Sequence, residues 1–227
     1  MALPFTREQF FGVFSQYNDS FWPVAALFWV AAVISLVAAT TGRLTLGRRL
    51  SVLLALLWSW NAVGYHALLF TRINPAAWVF AALFAVEALL FAWAAARRVG
   101  YFTSSAPMRA VGIGLACYAL AYPFLNFALG HAYPASPTFG VPCPTVILTI
   151  GLLLTASGTV PAILMIVPAL WGYVGGSAAI LLGVKADYVL LAAGVLMSAV
   201  VLVRLARPRL LRDARPDHSA ASKTRKY

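Results

Sequence analysis

Seven polar side chains stand inside or beside long apolar runs, and any chemistry in this chain has to start from them. A polar or ionisable group at membrane depth is costly to bury, so its presence points to a site. Glu87 lies in FAVEALL, Asn61 and His66 in WSWNAVGYHALLF, and Asn126 in YPFLNFALGH. His131 and Thr145 bracket HAYPASPTFGVPCPT, which also holds Cys143, carries no charge, and has prolines at 134, 137, 142 and 144. Asn61, His66, Asn126, His131, Cys143 and Thr145 are therefore the candidate ligand-binding residues. Glu87 is the candidate proton-coupling residue, with Asn61 as a partner by depth alone.

Neutral imidazole and thiolate suit borderline metals, which makes His66, His131 and Cys143 the candidate metal ligands and a metal ion the one cofactor these residues could hold. No CxxC, HxxxH or HxxE pair occurs, so that reading needs convergence in space. Haem ligation by two histidines has no motif behind it. Retinal is argued against by Lys185, the one lysine near a span, which falls at a span boundary rather than at mid-membrane. No Ser/His/Asp order, phosphate-binding glycine loop or paired carboxylates support catalysis.

The proline-rich loop should be rigid and extended, because proline fixes its own φ and disfavours helix in the residue before it. It is expected to fold back over the bundle mouth and lead into a helix starting at Pro144 and Thr145, with Cys143 near the cap. Free N–H groups and the helix dipole favour an anion there. The apolar run that follows, 144–158, is shorter than the roughly 20 residues a span needs. A short, proline-interrupted segment marks a binding site in one reading. In the other it is a helix tilted into a thinned membrane edge, with the loop as a plug.

Composition sets the frame for these residues. The 227 residues are 62% hydrophobic and 10% charged, against roughly 25% charged in a soluble domain. Lipid must therefore be the solvent on most sides. Apolar runs near 21–41, 50–70, 76–96, 108–130, 144–158, 160–182 and 186–206 give seven spans of an all-α polytopic bundle. Ahead of them, residues 6–18 read as a short interfacial helix, or one packed on the bundle mouth. Thr6 and Gln9 have capping-box spacing, Phe5 and Phe10 that of a hydrophobic staple, and Phe10, Phe14 and Tyr17 share one face. Gly172, Gly175 and Gly176, and Gly112, Gly114 and Ala116, make small-residue faces for close helix approach.

Fourteen of the seventeen basic residues fall on one side of this layout, and Arg7, Arg72 and Lys185 on the other. The positive-inside rule then puts the N-terminus outside and the C-terminus in the cytoplasm. Residues 207–227 read as a flexible basic tail that meets anionic lipid. The net charge of +11 does not imply nucleic acid, because no aromatic-interleaved basic face exists. Cys117 and Cys143 fall in different layers, which argues against a disulfide.

The segments PFTREQFFGVFSQYN, WNAVGYHALLFTRINPAA and GHAYPASPTFGVPCPTVILTIGLLL resemble an uncharacterised bacterial multi-pass membrane family, a domain of unknown function. The likeness runs from Phe5 to about Leu205 and is most specific in HxYPxxPxFGxPCPT. Some members are labelled transporter permeases. The resemblance implies a multi-span fold of the bacterial inner membrane and assigns no substrate or catalytic residue. Together the readings imply a small transporter or binding protein for a small solute or ion, with its site at the outer mouth. A membrane-embedded enzyme and an accessory or scaffold subunit are the alternatives.

Overall fold

The computed structural model describes residues 4–40, 47–99, 104–156 and 160–213, the side chains of 39 and 207–213 excepted. Seven helices run through them: α1 (Arg7–Thr40), α2 (Gly47–Trp60), α3 (Ala77–Ala96), α4 (Ala106–Ala128), α5 (Pro142–Thr155), α6 (Ile163–Leu182) and α7 (Tyr188–Asp213). The fold is all-helical. Six helical stretches are long and apolar enough to cross a membrane, and α5 is the short one. Leu27, Val79, Leu89, Phe124 and Leu202 are exposed, as a lipid-facing surface requires. Patches of that kind are rare on soluble monomers.

The expected interfacial helix and first span form one 34-residue helix, broken at Phe21 (φ −130°, ψ 15°) with Pro23 just beyond. A proline inside a helix removes a hydrogen bond and kinks the axis. The capping box forms as the spacing predicts: Thr6 N donates to Gln9 Oε1 at 2.8 Å and Gln9 N to Thr6 Oγ1 at 3.2 Å. Phe5 and Phe10 stack at 6.0 Å. Phe14 and Tyr17 are buried against Tyr65. The half of α1 before the kink is thus packed on the bundle.

Three antiparallel pairs, α2/α3, α4/α5 and α6/α7, carry the closest packing. Glycine makes two of them. A Cβ added to Gly112 would sit 2.6 Å from Gly151 O, and one added to Gly172 would sit 2.5 Å from Gly194 Cα. Gly176 meets Leu191 in the same way, whereas Gly114 has open space. Of the expected small-residue faces, Gly112 with Ala116 and Gly172 with Gly175 and Gly176 are packing surfaces, a Cβ on Gly175 lying 2.7 Å from Leu190 Cδ2. Gly114 is not.

Helix α5 sits at the centre. All of it except Cys143 and Thr155 is buried. A helix apolar on every face belongs in a core, and this one has protein where the others have lipid. The tilted-edge reading of the short span is therefore overturned. Its start is also corrected: Pro142 is the first helical residue and Val141 the cap, since proline fits a first turn that lacks internal N–H bonds. Helix α7 continues past the expected end at 206 to Asp213; its Leu and Arg residues are good helix formers. The rest of the expected tail, 214–227, lies outside the described residues.

The two ends of the bundle differ in charge. Arg7, Arg72 and Lys185 mark the end with the proline-rich loop. Arg48, Arg49, Arg97, Arg98, Arg109 and Arg204 mark the opposite end, where Arg109 donates to Thr40 O at 3.2 Å and Arg204 to Val160 O.

Candidate functional site

Helix α2 does not end as an α-helix. Residues Asn61–Ala67 form a π-helix, and Leu68 N donates to Val63 O at 3.0 Å, five residues back. The wide turn decides where the polar residues point. In an α-helix two residues five apart differ by about 140° around the axis, so Asn61 and His66 could not share a face. In the π-helix they do, and both are fully buried together with Tyr65. π-Helical turns are rare and are frequently found at functional sites.

His66 sits in a cage of rings. Its imidazole lies 4.7 Å from Phe84, 5.2 Å from Trp171 and from Tyr65, and 5.8 Å from Phe80. Neither ring nitrogen has a hydrogen-bond partner, and neither does Trp171 Nε1. Both side chains line a cavity of about 240 Å³ at the loop-rich end of the bundle, between the first half of α1, the π-helix and α6. Phe14, Phe70 and Phe80 are among its apolar lining residues, and Tyr65, Asn74, Ser177, Cys143 and Asp187 among its polar ones. Buried polar groups without partners are uncommon and call for a reason.

Two anchors shape this end. Asn18 holds the proline-rich loop, donating to Pro134 O at 2.6 Å and Ser136 O at 2.9 Å and accepting from Thr138 Oγ1 at 2.5 Å. The loop folds back as expected. Gly140 (φ 86°) closes it where the Tyr17 hydroxyl would lie 2.5 Å from any Cβ. The second anchor is α4. Tyr118 OH donates to Ala186 O at 2.8 Å, and one turn on Tyr122 OH donates to Asp187 Oδ1. Asp187 also takes the Cys143 thiol, which sets its carboxyl group beside the side chain of the second residue of α5.

The structure gathers some of the sequence-predicted residues and separates others. His66 and Cys143 line the cavity. Asn61 and Thr145 lie a layer deeper and meet each other, Asn61 Nδ2 donating to Thr145 Oγ1 at 3.1 Å. Asn126 is buried and donates to Tyr122 O at 3.0 Å. His131 stands away from the cavity, stacked on Phe11 at 4.8 Å; partial burial and the Arg7 guanidinium hold its imidazole below the ordinary range. The metal set His66, His131 and Cys143 is therefore not assembled, because the stack holds His131 elsewhere. Among the described residues no three His, Cys, Asp or Glu converge on a metal position.

Glu87 is fully buried with both oxygens unpartnered, and no bond joins it to Asn61. The cavity lining on α3 stops at Phe80, two helical turns short of Glu87. Phe84, packed on His66, Trp171 and Trp58, fills the gap. Trp171, Tyr122 and Asp187 were not among the predicted residues. Aromatics in a span read as ordinary packing or belt residues, and Asp187 reads as part of a short connecting loop. Its one signal is an acid at a span boundary beside a lone lysine.

No curated protein and no solved structure matches the chain. The chain belongs to a family of unknown function (DUF6064), which matches residues 7–212.

Proposed function

We propose that this member of the family is a multi-pass protein of the bacterial inner membrane that binds a small solute at its outer mouth. One observation carries the reading: His66 lies fully buried in a cavity wall with both ring nitrogens unpartnered. Leaving such atoms empty costs about 1–3 kcal/mol each. A ligand that satisfies them recovers that energy on binding. The charge asymmetry between the two ends supports placing the cavity outside.

Binding is favoured over passage. Phe84 seals the floor, and the lining does not reach Glu87, so the geometry offers no continuous polar path toward the basic end. Catalysis has less support still. His66 accepts no hydrogen from Cys143, whose thiol is taken by Asp187, so no nucleophile and base stand within reach of each other.

Native mass spectrometry of the full chain released from lipid nanodiscs tests the proposal. The parent protein is expected to carry one small molecule that His66→Phe has lost. An empty cavity in both proteins, with no small molecule recovered from the parent after gentle extraction, would sink it.

A further inference from the structure

The cavity's walls define a ligand class, an inference that rests on the binding role proposed above. Among the described residues no lysine or arginine lines the cavity, so a carboxylate or phosphate would enter without a counter-charge, at high cost. The one acid in the lining, Asp187, already receives the Tyr122 hydroxyl and the Cys143 thiol. Among the buried groups of the lining, what stands unpartnered is a pair of N–H donors. Trp171 Nε1 can only donate, and a neutral imidazole donates from one of its two nitrogens. The two rings are 5.2 Å apart and nearly perpendicular. A carbonyl oxygen, with two lone pairs, can accept from both.

Gly175 lies against both the indole nitrogen and α7. A Cβ added there would approach Leu190 Cδ2 to 2.7 Å and Trp171 Nε1 to 3.0 Å, so a larger residue would crowd this donor. The volume sets the size. An apolar cavity of roughly 150 Å³ accommodates benzene, so about 240 Å³ suits roughly ten non-hydrogen atoms. The rim sets the route. On one flank of the cavity, Val174, Ser177 and Leu181 of α6 are exposed, on a helix apolar enough to sit in lipid. Across from them lie Pro4, exposed, and Phe5, half-buried. The opening therefore faces the bilayer side of the bundle, between α6 and the start of α1.

We propose that the cavity takes a small uncharged lipophile of bicyclic-ketone size, drawn from the membrane, whose carbonyl oxygen accepts from Trp171 Nε1–H and His66. Its ring body packs against Phe14, Phe70 and Phe80.

Equilibrium binding to the full chain in nanodiscs, corrected with empty nanodiscs, separates the ligand classes. The probes are 1-indanone, indane without the carbonyl, and 2-aminoindane as the ammonium. Indanone is expected to bind saturably, about tenfold tighter than indane. Trp171→Phe keeps a ring but deletes the donor, and should remove most of that difference while leaving indane unchanged. Gly175→Ala, a second variant that keeps both donors but sets a methyl group against the indole nitrogen, should weaken indanone more than indane. Equal binding of indane and indanone overturns the carbonyl assignment. So does tighter binding of the ammonium, which would make Asp187 the recognition element. In both cases the cavity still binds a ligand and the broader proposal stands. Binding of none of the three, together with no small molecule on the natively extracted protein, overturns both.

Discussion

Around His66, aromatic rings meet at 4.7 to 6.1 Å and leave a cavity of about 240 Å³ with three unpartnered ring nitrogens on its wall. Between α4 and α5 the backbones are so close that a Cβ on Gly112 would touch a carbonyl oxygen and an amide nitrogen of α5, at 2.6 and 2.8 Å. One bundle contains both, and the contrast teaches where each part of the sequence is constrained. The seam tolerates nothing larger than hydrogen, because close packing is what joins helices that have no hydrophobic gain over lipid. The mouth leaves polar atoms unpaired, at a cost to stability that only a ligand can offset. Binding sites are commonly drawn from less tightly packed regions of this kind.

The contrast breaks first at the seam. Gly112→Val places a branched side chain against α5 backbone that cannot yield. The loss is expected to reach about 3 kcal/mol or more, read as a collapsed thermal midpoint in detergent; a midpoint near the parent's would mean α4 and α5 are held by something else. Asn18→Ala comes next. It removes three hydrogen bonds from the proline-rich loop and should cost about 2 kcal/mol, with new protease cleavage inside 131–141. Resistance there would show that the prolines alone hold the loop. Tyr122→Phe takes one donor from the buried Asp187 carboxyl and should cost about 1.5 kcal/mol. An unshifted midpoint would mean that the Cys143 thiol satisfies Asp187 unaided. His66→Phe should be smallest, within about 0.5 kcal/mol and toward higher stability, because the gain from deleting two unpartnered polar atoms is largely offset by fitting a larger ring between Phe84 and Trp171. A drop of about 2 kcal/mol there would give the imidazole a structural role and erase the difference between the two regions.

The sequence made the spans legible because hydropathy reports what lipid accepts. It could not tell α5 from its neighbours, since a helix surrounded by protein and one surrounded by lipid are apolar alike. The capping box at Thr6 and Gln9 was readable because it is local. His66 and Cys143 were readable as polar groups at depth. Their separation from His131 was not, for it depends on a stack with Phe11 from another helix. Asn61 and His66 face the same core only through a π-turn that no residue pattern announces, although Gly64 sits in its middle. There a Cβ would meet the Trp60 indole at 2.9 Å. Asp187 and Trp171 were missed because their roles are set by Tyr122 on α4 and Gly175 on α6.

The burial of α5 has a consequence for how the chain is made. Its 14 residues reach about 21 Å, short of the roughly 30 Å hydrocarbon layer. The α6/α7 pair that walls off one of its sides leaves the ribosome after it. During synthesis α5 therefore has α4 as its nearest shelter, joined through Gly112 and Gly151, and waits in a half-built bundle until α6 and α7 have followed it. The arrival of that later pair, rather than the insertion of α5 itself, encloses the helix that brings Cys143 to the cavity.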